Sequence, residues 1–322
     1  MCAGAGLCAM DLCVTIKGVS FLLQTGLGVL GNAAVLLAYA NILLTETKLL
    51  PVDVILCHLA FANLMLLLTR CVPQTMTVFG MTELLNDAGC KVVIYAYRIS
   101  RALSVCITCM LSVFQAVTIA PTGPHLARLK PALPSLVLPT FAGLWILNMA
   151  ICIAAPFFSM APRNGTVPAF TLNLGFCHVD FRDNLSYVIN GVAVSGRDFA
   201  FVALMLGSSG YILLLLHRHS RKVRQIRRAQ SGGSETRAAK IVVTLVILYV
   251  VFFGIDNVIW IYMLTVEKVS LVVADMRVFF SSCYASISPY FIMSSNKKVK
   301  AKIVCAAEQS QLSADSQRPD DK

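Results

Sequence analysis

The chain has 322 residues, 57% hydrophobic and 13% charged, with a net charge of +11 and a mean hydropathy of +0.74. Soluble globular domains carry about 25% charged residues, so the composition excludes one. The deficit of charge runs along the whole chain, which also excludes a soluble domain on a single anchor.

The first apolar run sets the pattern: 28 residues without a charge separate Lys17 from Glu46. A spanning helix needs about 20 mostly apolar residues to cross a hydrocarbon core of roughly 30 Å. Spans are predicted at 17–40, 52–72, 89–118, 134–157, 187–216, 238–264 and 272–294. The runs are continuous and odd in number, and lipid requires backbone groups to be satisfied within each segment, so they read as helices. The expected fold is an all-α membrane protein, a seven-transmembrane helix bundle. An extracellular N-terminus at 1–16, a helical domain at 17–294 and a cytoplasmic tail at 295–322 follow. Pro73, Pro139, Pro156 and Pro289 are expected to mark kinks or helix ends. Met1 to Leu12 lacks a basic leader region, so the first run is expected to act as its own signal anchor. No internal repeat is visible, which weighs against an inverted-repeat transporter.

The basic excess is a topology signal rather than a nucleic-acid footprint. With the N-terminus outside, the inner loops and near tail hold 15 basic residues against seven outside, Arg70 and Arg277 counted among the latter. That is the positive-inside bias, and it adds affinity for anionic membrane lipid.

Most of the 12 cysteines fall inside spans and read as small apolar residues, the Cys106-x-x-Cys109 pair included. Cys90 and Cys177 both face the oxidising side, where a disulfide is favoured over two free thiols. Asn164-Gly165-Thr166 is a glycosylation sequon in the same outer loop, and Asn184-Leu185-Ser186 lies against the fifth span.

Charges within the spans are costly, at about 2.5–3.5 kcal/mol each on insertion scales, and each is a functional candidate. Arg98 and Arg101 share a face of span three, Arg197 and Asp198 lie in span five, and Asp256 lies in span six. Helical rise puts all five at similar depth in the outer half. They read either as an ion-pair network or as a site where a surplus arginine receives a ligand anion, since guanidinium forks match carboxylate or sulfate. Tyr95, Tyr97, Phe199, Trp260 and Tyr262 could stack on a ligand ring or pack helices. The expected ligand-binding set is Arg98, Arg101, Tyr95, Arg197, Asp256 and Trp260. Asp53 is expected to cap or anchor span two within reach of water, and His58 to be a hydrogen-bonded core residue. No His, Cys, Asp or Glu grouping has metal-site spacing, no cofactor is expected, and no catalytic constellation points to an enzyme.

Gly31-Asn32, Leu59-Ala60-Phe61-Ala62-Asn63, Cys90 and Trp145 resemble the rhodopsin-like receptor plan. The chain departs from it with Phe114-Gln115-Ala116 where Asp-Arg-Tyr is usual, no proline in span six, and Ser288-Pro289-Tyr290 in span seven. Those departures, with Arg98-x-x-Arg101-Ala102-Leu103-Ser104, Gly196-Arg197-Asp198, Glu235-Thr236-Arg237-Ala238-Ala239-Lys240 and Ser295-Asn296-Lys297-Lys298, resemble the type-1 vomeronasal receptor family over residues 14 to 300. Gly254-Ile255-Asp256-Asn257 is similar to its fish-type branch. The resemblance implies a G-protein-coupled pheromone or olfactory receptor in the plasma membrane of sensory neurons. It implies a small-molecule ligand and a heterotrimeric G protein of the inhibitory or olfactory class. Gln115, Arg221, Arg224, Arg237 and Lys240 are the expected coupling residues, since a basic extension of spans five and six suits a docking helix. A bitter-taste-type receptor is the near alternative and a small-molecule transporter the distant one. Residues 278–296 contain no lysine, so no retinal Schiff base forms there. Cys305, beside a basic cluster, is a candidate for palmitoylation.

Overall fold

The computed structural model describes residues 3–46, 49–81, 84–121, 123–162, 171–181, 183–225, 233–265, 271–296 and 298–304. Helix α1 runs Ala3–Glu46. The second crossing is α2 (Pro51–Leu66), a π-helical turn (Leu67–Cys71) and α3 (Val72–Val78). The remaining helices are α4 (Asp87–Ile119), α5 (Pro124–Ile151), the single turn α6 (Ala155–Phe158), α7 (Asn184–Gln225), α8 (Gly233–Thr265) and α9 (Leu271–Ser295). The outer loop carries three short strands, β1 (Ser159–Met160), β2 (Thr171–Asn173) and β3 (His178–Asp180), antiparallel in the order β1-β3-β2.

The predicted runs are helical and the structure lengthens several, but the fourth ends at Ile151, short of the predicted 157, with α6 following after a turn. Helix α1 covers most of the segment assigned to the N-terminus, and at 44 residues spans about 66 Å, more than the bilayer requires. Pro131, Pro134 and Pro139 lie inside α5 without ending it, so the fourth helix starts ten residues before the predicted 134. Pro73 follows directly on the π-helical turn, whose widened hydrogen-bond ladder accommodates the missing N–H. Asn86 caps α4 by accepting from the Gly89 N–H at 2.8 Å.

Among the described residues, six helices are long and apolar enough to cross a membrane. Helix α9 is the seventh, and it is less apolar because of its serines. Ser282, Ser286 and Ser288 are buried against the bundle, not turned to lipid. Helix α4 is the central post, with 67% of its apolar window buried against 22% for α7. The outward faces of α1, α5 and α7 carry exposed leucines and isoleucines, as lipid contact requires.

Buried polar groups tie the helices together where apolar packing alone would leave register free. Asn63 Nδ2 donates to Ser288 Oγ at 2.9 Å while Ser104 Oγ donates to Asn63 Oδ1 at 2.7 Å. Asn32 Nδ2 donates to the Gly28 and Ala285 carbonyls. A Cβ on Gly28 would sit 2.7 Å from both Leu67 Cδ1 and Ser286 Oγ, so α1 approaches α9 closely only because glycine is there. His58 is the satisfied core residue the sequence suggests: Trp145 Nε1 donates to its Nε2 at 3.0 Å and Phe141 stacks on it at 4.3 Å.

Asp53 departs from expectation in its burial. It is 6% exposed, the helix cap is Leu50 with no side-chain bond, and Asp53 accepts from Asn296 Nδ2 at 2.8 Å and Tyr39 Oη at 3.4 Å. It takes the backbone N–H of Leu50 at the start of its own helix and also joins α1, α2 and the end of α9.

Candidate ligand site

The outer ends of α2, α4, α7, α8 and α9 enclose a cavity of about 430 Å³, covered by the strand-bearing loop. The Cys90–Cys177 disulfide, with Cα atoms 5.7 Å apart, ties that loop to the start of α4. Phe176, Cys177, Val179 and Phe181 pack with Cys90 and Ile94 into a small apolar plug, so the roof rests on its own core.

Among the described residues, five arginines and two aspartates line this cavity: Arg70, Arg98, Arg101, Arg197 and Arg277 against Asp198 and Asp256. Four of the five predicted intramembrane charges form one chain of ion pairs, extended by Arg277. Arg197 Nε and Nη2 donate to Asp198 Oδ1 at 3.0 and 2.8 Å. Arg101 bridges the two acids, Nη1 to Asp198 Oδ2 at 3.1 Å and Nη2 to Asp256 Oδ2 at 3.0 Å. Arg277 Nε donates to Asp256 Oδ1 at 3.2 Å, and its guanidinium lies 4.2 Å above the Trp260 ring. The chain therefore fastens α4, α7, α8 and α9 to one another. Both acids are about 5% exposed or less, so each pair acts in a low dielectric, where the loss of one partner is severe.

The i, i+3 relation of Arg98 and Arg101 puts both on the cavity face of α4, yet their surroundings differ. Arg98 Nη1 donates to the neutral Asn190 Oδ1 at 2.8 Å, and its guanidinium lies 5.8 Å from the Phe181 ring. Among the described residues it has no ion-pair partner. Neither has Arg70. Among the described residues, five cations against two anions leave three positive charges in excess inside the cavity.

Two of these arginines escaped sequence reasoning. Arg70 and Arg277 sit near the ends of their runs and were counted as outer juxtamembrane charges. The signal that could have found them is their position within one helical turn of apolar residues on both sides. Tyr95 is a correction in the other direction. Its hydroxyl donates to the Met149 carbonyl at 3.1 Å, and the residue is not among those lining the cavity. Two positions on, Tyr97 takes the cavity-facing place, because a 100° step per residue moves a side chain to another face. Of the other aromatics, Trp260 lines the cavity while Phe199 and Tyr262 are exposed on the bundle surface.

On the cytoplasmic side Gln115 is 3% exposed, enclosed near the packed ends of α4, α7 and α8, so it is no part of an open docking surface. Lys240 is exposed on α8. The side chains of Arg221, Arg224 and Arg237 lie outside the described residues, as do Asn164 and Cys305. Cys106 and Cys109 are free and buried, in keeping with packing.

The comparisons agree with this architecture. Squid rhodopsin superposes with a TM-score of 0.71 at 17% identity, covering 97% of this chain and 89% of that one, a likeness of fold alone. Olfactory receptor class A-like protein 1 of Danio rerio is 74% identical over 95% of this chain and 97% of its own length. Vomeronasal type-1 receptor 4 of Homo sapiens is 31% identical over 86% of this chain and 93% of its own. The model of the vomeronasal organ pheromone receptor family matches residues 15–305. A bitter-taste receptor, a transporter and an enzyme are set aside by these matches, and the chain belongs to the vomeronasal organ pheromone receptor family, chemosensory G-protein-coupled receptors with seven membrane helices.

Proposed function

We propose that this receptor responds to a small anionic molecule that enters the outer cavity. The observation that carries the reading is the excess of three arginines over carboxylates in one 430 Å³ space. An anion of suitable size removes that excess charge, and amines meet a like-charged wall. Arg98 has a neutral partner and can turn to a ligand without breaking an ion pair. Arg101, Arg197 and Asp256 hold the helices around it, and Trp260 offers a ring face beside Arg277. The N-terminus lies outside and the receptor resides in the plasma membrane of sensory neurons, a reading supported by the basic bias and the relatives' names. The cytoplasmic ends of α7 and α8 receive a heterotrimeric G protein of the inhibitory or olfactory class, with Lys240 and the basic residues Arg221, Arg224 and Arg237 at that end.

The test is a cAMP or calcium readout in cells expressing the chain, challenged with acids, bile derivatives, steroids and amines. Responses to acids that weaken in Arg98→Ala support the reading. Responses to amines alone sink it, and unchanged potency in Arg98→Ala and Arg101→Ala variants that reach the surface sinks the residue assignment.

A further inference from the structure

The five cavity arginines are not equivalent, and the most deeply buried cation without a carboxylate is Arg70. It is 5% exposed. Arg101, Arg197 and Arg277 each hold an aspartate, and Arg98 holds an amide oxygen at 2.8 Å. Among the described residues Arg70 makes one hydrogen bond, Nη1 to the Leu174 carbonyl, at 3.5 Å, the outer limit of such a bond. A guanidinium carries five N–H donors, and the others have no protein acceptor among the described residues. Its remaining contacts are ring faces, Tyr97 at 5.6 Å and Phe176 at 5.3 Å. Asp275, an acid within electrostatic range, is occupied by Lys17 at 2.8 Å. Holding a guanidinium at this burial on one marginal hydrogen bond costs stability, and an apolar side chain would fill the space between the two aromatic rings while its cavity-facing edge stays open.

The surroundings of Arg70 are specifically built. It sits in the π-helical turn Leu67–Cys71, a device that re-aims side chains within a helix. Leu174 and Phe176 belong to the roof loop that Cys177 pins to α4, so α2, α4 and the roof all converge on this guanidinium.

We propose that Arg70 is the headgroup subsite of the cavity, taking a carboxylate or sulfonate on its free N–H edge between the Tyr97 and Phe176 rings. This assignment rests on the anionic reading of the cavity. It places the charged end of the ligand on the α2 and roof side, within electrostatic range of Arg277 at the end of the ion-pair chain.

Thermal unfolding of the detergent-purified receptor separates the two readings. Without any ligand, Arg70→Met raises Tm, because a costly cation is replaced by an apolar chain that fits between rings, whereas Arg101→Met lowers it. A lowered Tm in both overturns the subsite and makes Arg70 structural. Sodium benzoate or benzenesulfonate at about 10 mM raises the Tm of the unsubstituted receptor by about 2 °C or more. Equal sodium chloride and methyl benzoate do not. Arg70→Met abolishes the shift, and Arg70→Lys, which keeps charge but loses the fork, reduces it. No shift by either probe in the unsubstituted receptor refutes the anionic reading together with the subsite. A shift that persists in Arg70→Met and vanishes in Arg98→Met refutes the Arg70 assignment alone. If Arg70→Met does not fold, Arg70→Lys decides: a full probe shift there, or failure to fold there too, overturns the subsite.

Discussion

Replacing Asp256 by asparagine keeps the volume and removes one charge from the middle of the ion-pair chain. Asp256 is 5% exposed at its side chain and is engaged on both oxygens, by Arg101 at 3.0 Å and by Arg277 at 3.2 Å. Each pair is worth about 4 kcal/mol of attraction at an effective dielectric of about 20. Much of that is offset by desolvation, so the informative quantity is the cost of truncation, about 3–5 kcal/mol when one partner of a buried pair is removed. Two features place Asp256→Asn at the lower end. Arg101 keeps Asp198 at 3.1 Å, and Arg277 keeps its position over Trp260. The expected loss is about 3 kcal/mol, a fall in Tm on the order of 6–12 °C. Thermal unfolding of purified receptor measures it. A double-mutant cycle with Arg277→Gln isolates the pair, because deleting both partners costs less than the sum of the two single changes. A loss below about 1 kcal/mol, or strict additivity, would mean that water screens the chain and that it does not fasten α8 to α4 and α9.

Three further outcomes are expected. Cys90→Ser opens the disulfide across a separation of 87 residues and lowers stability by about 2–5 kcal/mol, read as lost surface expression and lower Tm, while a Tm unchanged within error would show that the roof is held by its apolar plug alone. Gly28→Ala forces a methyl into Leu67 and Ser286 and costs about 1–3 kcal/mol, against near neutrality for the same change at Gly26, where the space is open. Burial holds the His178 imidazole below its ordinary value of 6.5, so the unfolded roof takes up a proton more readily than the folded one. Roof stability is therefore full above the unfolded pKa and declines as pH falls through it, which amide exchange of residues 171–181 at about pH 7.5 and about pH 5.5 measures.

Much of the architecture was legible in the apolar runs, since a helix long enough to cross lipid has few alternatives there. Cys90 and Cys177 were legible from the side of the membrane they face, and His58 from its isolation in an apolar helix. Arg98, Arg101, Arg197, Asp198 and Asp256 were legible as costly charges at one depth. Their partners were not. Depth follows from counting residues along a helix, but which arginine meets which aspartate depends on helix rotation and tilt, set by close approaches such as Gly28 on Ser286. Asp53 looked water-accessible by its place at a helix start and is instead sealed by Tyr39 and Asn296, from sequence positions 14 residues before and 243 after it.

The sequence by itself determined the class of molecule, the number and order of crossings and the depth of the buried charges, because hydropathy and helical rise are properties of one segment at a time. The tertiary structure alone decided that Arg70 and Arg277 belong to the cavity, that Tyr95 leaves it to Tyr97, and that among the described residues arginines outnumber the acids within it by three. Those are properties of facing surfaces: a π-helical turn in one helix and a disulfide-tied roof bring together residues such as Arg70 and Leu174, 104 positions apart along the chain.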